Sequence, residues 1–566
     1  MNAALPIGQI LLQARLIGSD QLRIALHEQH SRKQPLGRVL VELGFISEQA
    51  LRDALARDSG HAGVDLAGAP PDAAALALIP HALARRHQLL PLQFDASEQR
   101  LVVATANSKD LLAHDRLRSQ LGAHIRIELR QAAEAELAAA IECHYGETHS
   151  VDELIRELEL RTTGAGVPAN DGQTVVKLVA ALLADAVRQG ASDLHFEPEA
   201  GFLRLRLRID GALRQVRALH KSCWPEIAVR LKVMADLDIA ESRCPQDGRI
   251  SLKLGGRAVD FRIATQPTLH GENIVLRVLD RARLIVALDS LGLDEVQHAA
   301  LDRILARPEG LVLVTGPTGS GKTTTLYAIL SHLNREDVNI MTLEDPVEYP
   351  LPMIRQTQVG EASRLGFADG VRALLRQDPD IILVGEIRDL DTAEMALRAA
   401  LTGHRVFATV HANSALGAIP RLLDIGLRTD LLAGNLAGIL AQRLLRQLCP
   451  HCRQAEPASA AQCALLGVDA PAPPMLHHPV GCPACDFRGY HGRRAIVEVL
   501  PVDARLDDAI ASGASLASLR TAIERGTHRS LADQGVREVL AGHTSLAELM
   551  RVVDLSARAA DGAGPP

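Results

Sequence analysis

An apolar, β-branched run, Leu311-Val312-Leu313-Val314-Thr315, breaks into Gly316-Pro317-Thr318-Gly319-Ser320-Gly321-Lys322-Thr323-Thr324 and then resumes at Leu326 with helical spacing. A strand that turns through glycines into the start of a helix is a phosphate cradle. Gly316, Gly319 and Gly321 let the backbone wrap until its N–H groups point at phosphate oxygens, and the first helical turn adds its positive end. Lys322 reaches β- and γ-phosphates from its position, and the Thr323 hydroxyl is placed to hold Mg²⁺. The chemistry such a loop serves is the grip on ATP with Mg²⁺.

Three further stretches could complete a hydrolysis site. Met341-Thr342-Leu343-Glu344-Asp345-Pro346-Val347-Glu348 is a strand end followed by three carboxylates around a proline. At the carboxyl edge of a parallel sheet such a cluster lies beside the phosphate loop, where a carboxylate can orient water; the other reading is an acidic surface turn. Asp380-Ile381-Ile382-Leu383-Val384-Gly385-Glu386 is an apolar run with a terminal acid, so Glu386 would hold Mg²⁺ through water. His404 and His411 flank a third buried run and read as sensors of the γ-phosphate, although a lone histidine is more often structural. Of eight cysteines, Cys449, Cys452, Cys482 and Cys485 form two C-x-x-C pairs, the donor set of a closed, structural Zn²⁺ site.

These residues need a large scaffold to position them. At 566 residues the chain exceeds one hydrophobic core and divides into several domains. Its 47% hydrophobic and 23% charged residues suit a soluble globular protein. No apolar run is long enough to span a bilayer, and Met-Asn-Ala-Ala-Leu-Pro lacks the order of a signal peptide, so a cytoplasmic protein is expected. A net charge of −7 and 2% aromatics argue against a nucleic-acid partner.

Residues 7 to 58 hold one pattern twice, Ile7-Gly8 to Gln29 and Leu36-Gly37 to Asp58, with Ser19 and Ser47 where helix caps belong. Residues 75 to 147 alternate helix and strand, and a polar, Gly- and Pro-containing linker follows within 151–173. A helix from Thr174 precedes the alternating strand Leu203 to Ile209, which puts Arg204, Arg206 and Arg208 on one face. That row is either a solvated face or a source of arginine for a nucleotide on a neighbouring subunit. Pro245 to Arg249 reads as a turn, and strands follow at Val259–Ile263 and Asn273–Leu279. Helices fill the C-terminal part to about Leu555, and Ala559 to Pro566 reads as a tail.

Taken together, Gly190-Ala-Ser-Asp193, the phosphate loop, Leu343-Glu-Asp-Pro-Val-Glu348, Arg376-Gln-Asp-Pro-Asp380, Val384-Gly-Glu-Ile-Arg-Asp389, Thr402-Gly-His404 and Thr409-Val-His411 resemble the secretion ATPase superfamily of type II secretion and type IV pili. The resemblance implies an α/β fold: a RecA-like P-loop ATPase domain (290–500) with a tetracysteine zinc subdomain (445–490), preceded by α+β domains (61–150 and 174–289) and followed by a C-terminal helical subdomain (501–566). It makes Glu344 the catalytic acid/base and Glu386 the Walker B acid. It also pairs His404 with His411, and assigns Arg208, Arg262 and Arg277 to a domain that closes over ATP. A homo-oligomer, six-membered in the family, peripheral at the inner membrane through platform proteins, is what the resemblance implies. The type II secretion member is the first reading and a type IV pilus extension ATPase the second. A nucleotide-controlled binding switch with little hydrolysis is a rival of another class. Residues 1–60 resemble a cyclic di-GMP-binding module, but Pro6, Pro35, Arg15 and Asp58 depart from its pattern and remove ligand contacts, which leaves plain docking as the alternative.

Overall fold

Two glycines show how the N-terminal repeat is built. In the computed structural model, Gly8 of the helix Ile7–Gln13 lies against Leu22, and Gly37 of the helix Leu36–Glu42 lies against Leu51 at the same spacing. A Cβ on Gly8 would come 2.7 Å from Leu22 Cδ1, so a larger residue there would push that side chain aside. Leu11, Ile17 and Ala25 of the first copy are buried together with Leu40, Ile46 and Ala54 of the second. Ser19 opens the helix Ser19–Arg32.

The structure describes residues 7–556 except 33–34, 47–49, 52–53, 55–62, 65, 67–70, 97, 107–109, 123–124, 133–136, 139, 142–144, 146–150, 163–172, 255–256, 281–285, 361–362, 469–471 and 524–527. Ser47, the end of the second repeat at Leu55–Asp58, Pro6, residues 163–172 of the expected linker and the tail from Ala559 lie outside the described residues.

The chain divides into two units, 1–282 and 283–566. In the first, β1 (Leu89–Asp95), β2 (Arg100–Thr105) and β3 (Arg126–Gln131) form a small sheet, with β1 antiparallel and β3 parallel to β2. Residues 151–162, expected within the linker, are instead a helix, Val151–Thr162. Its Leu154, Ile155 and Leu158 recur at helical spacing and pack into the core of the next sheet together with the helix Gln173–Arg188. That sheet contains β4 (Ala191–Pro198), β5 (Phe202–Ile209), β6 (Ala212–His220), β7 (Gln246–Leu254), β8 (Arg257–Thr268) and β9 (Gly271–Asp280). Its order is β6-β5-β4-β9-β8-β7, antiparallel throughout. The expected turn at Pro245 to Arg249 is corrected: the strand begins at Gln246. Gly248 sits within it because Ala235 O would lie 2.9 Å from any Cβ there.

The second unit is built on β10 (Gly310–Thr315), buried along its whole length. Leu311 and Leu313 face one core and Val312 and Val314 the other, as a central strand covered on both sides requires. With β11 (Ile340–Glu344), β12 (Arg355–Gln358), β13 (Ile381–Val384), β14 (Arg405–Val410), β15 (Leu436–Leu448) and the later β18 (Tyr490–Pro501), it forms a sheet of order β12-β11-β13-β14-β10-β15-β18. All neighbours are parallel except β15 and β18. Between those two, β16 (Gln454–Pro457), a helix at Ala460–Leu466 and β17 (Met475–His478) make a small flap. Among the described residues, four helices follow between Ala504 and Val552. Among the described residues no helix is long and apolar enough to cross a membrane.

The C-terminal helices are fastened by a buried carboxylate. Glu548 accepts from Arg446 Nη2 at 2.6 Å and from Arg551 Nη2 at 2.7 Å, with its side chain fully buried. Burial pushes its pKa up, but the hydrogen bonds from Arg551 and Arg446 outweigh this and hold it below the usual carboxylate range. This stabilisation is therefore complete above the unfolded-state pKa and is lost as pH falls through the folded one. Glu548→Ala, which strands the largely buried Arg446 guanidinium, is expected to cost about 3 kcal/mol at neutral pH. It should also flatten the acid side of the stability profile, which denaturant titration at pH 7 and pH 4 would measure. Unchanged midpoints at both pH values would remove the clamp from the account.

Candidate nucleotide site and metal centre

The phosphate loop leaves the carboxyl end of β10 and runs into the helix Lys322–Leu333. Gly316, Gly319 and Gly321 have φ of 150°, 78° and 92°. A Cβ on Gly316 would lie 2.6 Å from Gln442 O and from Ser320 Oγ, and one on Gly321 would lie 2.7 Å from Gln442 Nε2. The cradle is thus closed from behind by β15, and Thr325 Oγ1 adds a bond to Gln442 Oε1 at 2.6 Å. Pro317, Thr318, Gly319 and Thr323 are exposed, with Thr324 partly so. Ser320 is buried, with its hydroxyl unpartnered. Lys322 Nζ donates to Gly316 O at 2.8 Å and Pro317 O at 3.1 Å. Burial pulls its pKa below the usual lysine range, with Glu386 acting the other way. A backbone nest, a cation bonded only to carbonyls and an orphaned hydroxyl together fit a polyphosphate. The Thr323 hydroxyl and the Glu386 carboxylate are hard oxygen donors of the kind Mg²⁺ takes.

His411 and Glu386 meet at this loop. His411 Nε2 lies 2.9 Å from Glu386 Oε1, and Nδ1 lies 3.2 Å from Gly316 O. Both neighbours are acceptors, so a ring N–H of His411 has a partner on either side. Arg388, which sequence reasoning gave no role, holds the other Glu386 oxygen at 2.7 Å. The strand bearing His411 is latched to the loop by Thr315, whose Oγ1 accepts from Ala412 N at 2.8 Å.

Two expectations are corrected. His404 is not beside His411. It precedes β14, where its carbonyl accepts from Gly310 N, the first residue of β10, and its ring contacts Ala399 O and Thr402 Oγ1. The six residues of β14, roughly 20 Å at about 3.3 Å each, separate the two histidines. His404 therefore finishes the helix Leu390–Leu401 and does not sense a phosphate held at Gly316 in this chain. Glu344, expected as acid/base, points into the core. It accepts from the Tyr327 hydroxyl, from Thr342 Oγ1 at 2.6 Å and from Gln356 Nε2 at 3.1 Å. Burial first, and then the Glu344 charge, push the Tyr327 hydroxyl pKa up, so it remains a donor. The carboxylate ties the phosphate-loop helix to β11 and β12, which is a strut's work.

In the first unit, Arg208, Asp193, Arg277, Arg262 and Arg249 are successive paired residues across five strands. Asp193 stands 3.2 Å from Arg277 Nε and 3.5 Å from Arg208 Nε. The three sequence-predicted arginines therefore share one line of the sheet with Arg249, hidden from sequence reasoning by its assignment to a turn. Arg204 pairs with Glu199 and Arg206 with Glu197, as on a solvated face.

The four cysteine sulfurs lie within 4.8 Å of one another, with Cys449–Cys482 at 3.9 Å, Cys452–Cys485 at 3.8 Å and Cys482–Cys485 at 3.9 Å. A tetrahedron with sulfur about 2.3 Å from zinc has its sulfurs about 3.8 Å apart. Gly481 N and Gly489 N donate to Cys452 and Cys485, which favours thiolates. The donor set and spacing fit a closed Zn²⁺ site.

Gln442 and Arg443 were also missed. The available signal is a polar pair inside the run Leu436 to Leu445, where a strand buried on both faces has no cheap place for either.

A family described as "Type II/IV secretion system protein" matches residues 168–551, and one described as "MshEN domain" matches 57–151, over the small β1–β3 sheet. The type IV pilus assembly ATPase PilB of Myxococcus xanthus is 40% identical over 561 residues, covering 96% of this chain and 98% of its own. The type II secretion system ATPase E of Vibrio cholerae is 47% identical over 384 residues, 68% of this chain and 76% of its own. Among solved structures, the Legionella pneumophila ATPase DotB superposes with a TM-score of 0.50 at 20% identity, over 66% of this chain and 94% of that one, a likeness of fold.

The cysteine geometry makes a metal prediction. Elemental analysis of the purified chain should find one zinc, and Cys452→Ser should release it. Chelation should expose 449–490 to hydrogen exchange, since metal of this class contributes roughly 10–16 kcal/mol to folding. Four free thiols with protection intact would count against the centre.

Proposed function

The chain belongs to the type II/IV secretion system protein family, and from that premise we propose an ATPase that turns nucleotide hydrolysis into work on a type II secretion apparatus, at the cytoplasmic side of the inner membrane. The observation that carries this reading is the meeting of Lys322, Gly316, His411 and Glu386 at the carboxyl end of β10. The loop's N–H groups and Lys322 hold the β- and γ-phosphates. Thr323 and Glu386 would hold Mg²⁺, which when bound would supply charge neutralisation to those oxygens. His411 bridges the loop to Glu386, so a change at the γ-phosphate is passed to that carboxylate. We assign the attacking water to Glu348, partly exposed in the turn that Glu344 anchors. Arg208, Arg262 and Arg277 offer a further line of positive charge, in keeping with a ring in which one copy completes the site of the next. The N-terminal repeat and the region matched by the MshEN description are assigned to docking on an inner-membrane platform. Cyclic di-GMP is a secondary reading for that part.

Extension of a type IV pilus is the second reading, supported by the PilB relative that covers nearly the whole chain. A strain lacking the gene should lose exported protein from the medium and keep its surface pili; the reverse phenotype would transfer the chain to the pilus branch.

The catalytic assignment is tested with the assembled protein and its membrane platform. Lys322→Ala, Glu386→Gln and Glu348→Gln are expected to lower kcat by roughly 10²-fold or more. Glu344→Gln should instead lower Tm while keeping kcat within about tenfold. A Glu344→Gln protein as stable as the parent but as inactive as Glu348→Gln would restore Glu344 as the acid/base. An unaffected Lys322→Ala rate would end the ATPase reading of this loop.

A further inference from the structure

β15 carries a guanidinium into the wall of the phosphate site. Arg443 is 7% exposed. Its Nη1 donates to Gln442 O at 3.0 Å and its Nη2 to Asn413 O at 2.9 Å, while a Cβ on Gly316 would lie 3.2 Å from Nη1. It therefore touches the first glycine of the loop and the segment just after His411. Every one of these partners is a neutral carbonyl, and among the described residues no carboxylate lies within ion-pair distance of it. Glu498 on β18 acts on it only at longer range and is bonded to His528 at 3.0 Å. A guanidinium keeps its proton, so the charge is present whatever the surroundings. Lys322, close enough to feel the Arg443 charge, is likewise bonded to carbonyls alone. Carbonyls satisfy N–H groups but do not cancel charge, and a buried cation beside a half-buried one disfavours both.

We propose that Arg443 is a second cation of the phosphate site, a positioning residue that fixes Gly316 against the segment after His411 and takes its counter-charge from the bound polyphosphate. It belongs to the same unit as the loop, unlike Arg208, Arg262 and Arg277. The proposal rests on the nucleotide reading above. The competing role is that of a strut between Gln442 and Asn413.

The two roles separate in ligand-linked stability. In the full chain, Arg443→Met removes an uncompensated charge, so Tm without ligand should hold or rise. Affinity for Mg²⁺ with a non-hydrolysable ATP analogue should meanwhile fall about tenfold or more, and fall less for ADP. Arg443→Lys should recover part of the lost affinity. If Arg443→Met binds the analogue within about twofold of the parent, or if it lowers the ligand-free Tm while Arg443→Lys fails to restore binding, the proposal is overturned and the strut remains. A parent that binds no analogue, indistinguishable from Lys322→Ala, would defeat the nucleotide reading itself.

Discussion

The structure of the second unit depends on how tightly Gly316 is enclosed. Its α-carbon is faced by Gln442 O, Ser320 Oγ and Arg443 Nη1, and its carbonyl accepts from Lys322 and lies against His411. A glycine-rich loop with nothing behind it would sample many shapes, because glycine loses more backbone freedom on ordering than any other residue. Here the freedom is removed by neighbours that are themselves rigid: β10 below, β15 beside it and the start of the helix Lys322–Leu333 above. The cradle is preformed because the sheet is. Its N–H groups therefore need little reorganisation to meet an anion, which is where electrostatic binding gains most.

β15 carries that constraint away from the loop. It is thirteen residues long, pairs with β10 through Ala441 and with β18 through most of its length, and ends one residue before Cys449. Gln442 and Arg443 touch the phosphate loop, Arg446 is held by Glu548 and stacks over Tyr490 at 4.2 Å, and Cys449 belongs to the cysteine cluster. A paired strand is stiff along its axis, so loop, C-terminal helices and cysteine knuckle share one rigid element. Cys449 lies six residues beyond Arg443, so the cysteine cluster is linked to the loop through this strand. Beyond the knuckle come β16, the helix Ala460–Leu466 and β17.

The two kinds of residue in the site differ in how readable they were. Strand ends and the glycine loop were legible because β-branched runs, glycine spacing and proline stops are local signals; β10, β11, β13 and β14 fall where the apolar runs predicted. The cysteine set was legible because its spacing is its chemistry. The job of a side chain inside a crossing was not. Glu344 and Glu348 lie in one acidic turn, and only the folding of Tyr327 and Gln356 onto Glu344 distinguishes them. His404 and His411 flank one strand symmetrically in sequence, but a parallel strand has a ligand end and a far end, and symmetry in the chain becomes opposition in space. The helix Val151–Thr162 was hidden for a different reason: its charged face dilutes the apolar stripe that Leu154, Ile155 and Leu158 bury.

Charge sets the last constraint. The cations that the second unit places at the loop are few: Lys322 and Arg443 face it, and Arg388 is already committed to Glu386. A triphosphate losing its γ-phosphoryl group would spread negative charge over several oxygens at once. The first unit, by contrast, sets Arg208, Arg277, Arg262 and Arg249 on one line of a sheet whose other face is packed with leucine, isoleucine and phenylalanine. Holding arginines side by side costs repulsion, which Asp193 between Arg208 and Arg277 and Asp260 against Arg249 relieve in part. Such an arrangement is favourable when an anion completes it. The same argument applies to Arg443 on a smaller scale: its partners are carbonyls, which satisfy its N–H groups and leave its charge for an anion.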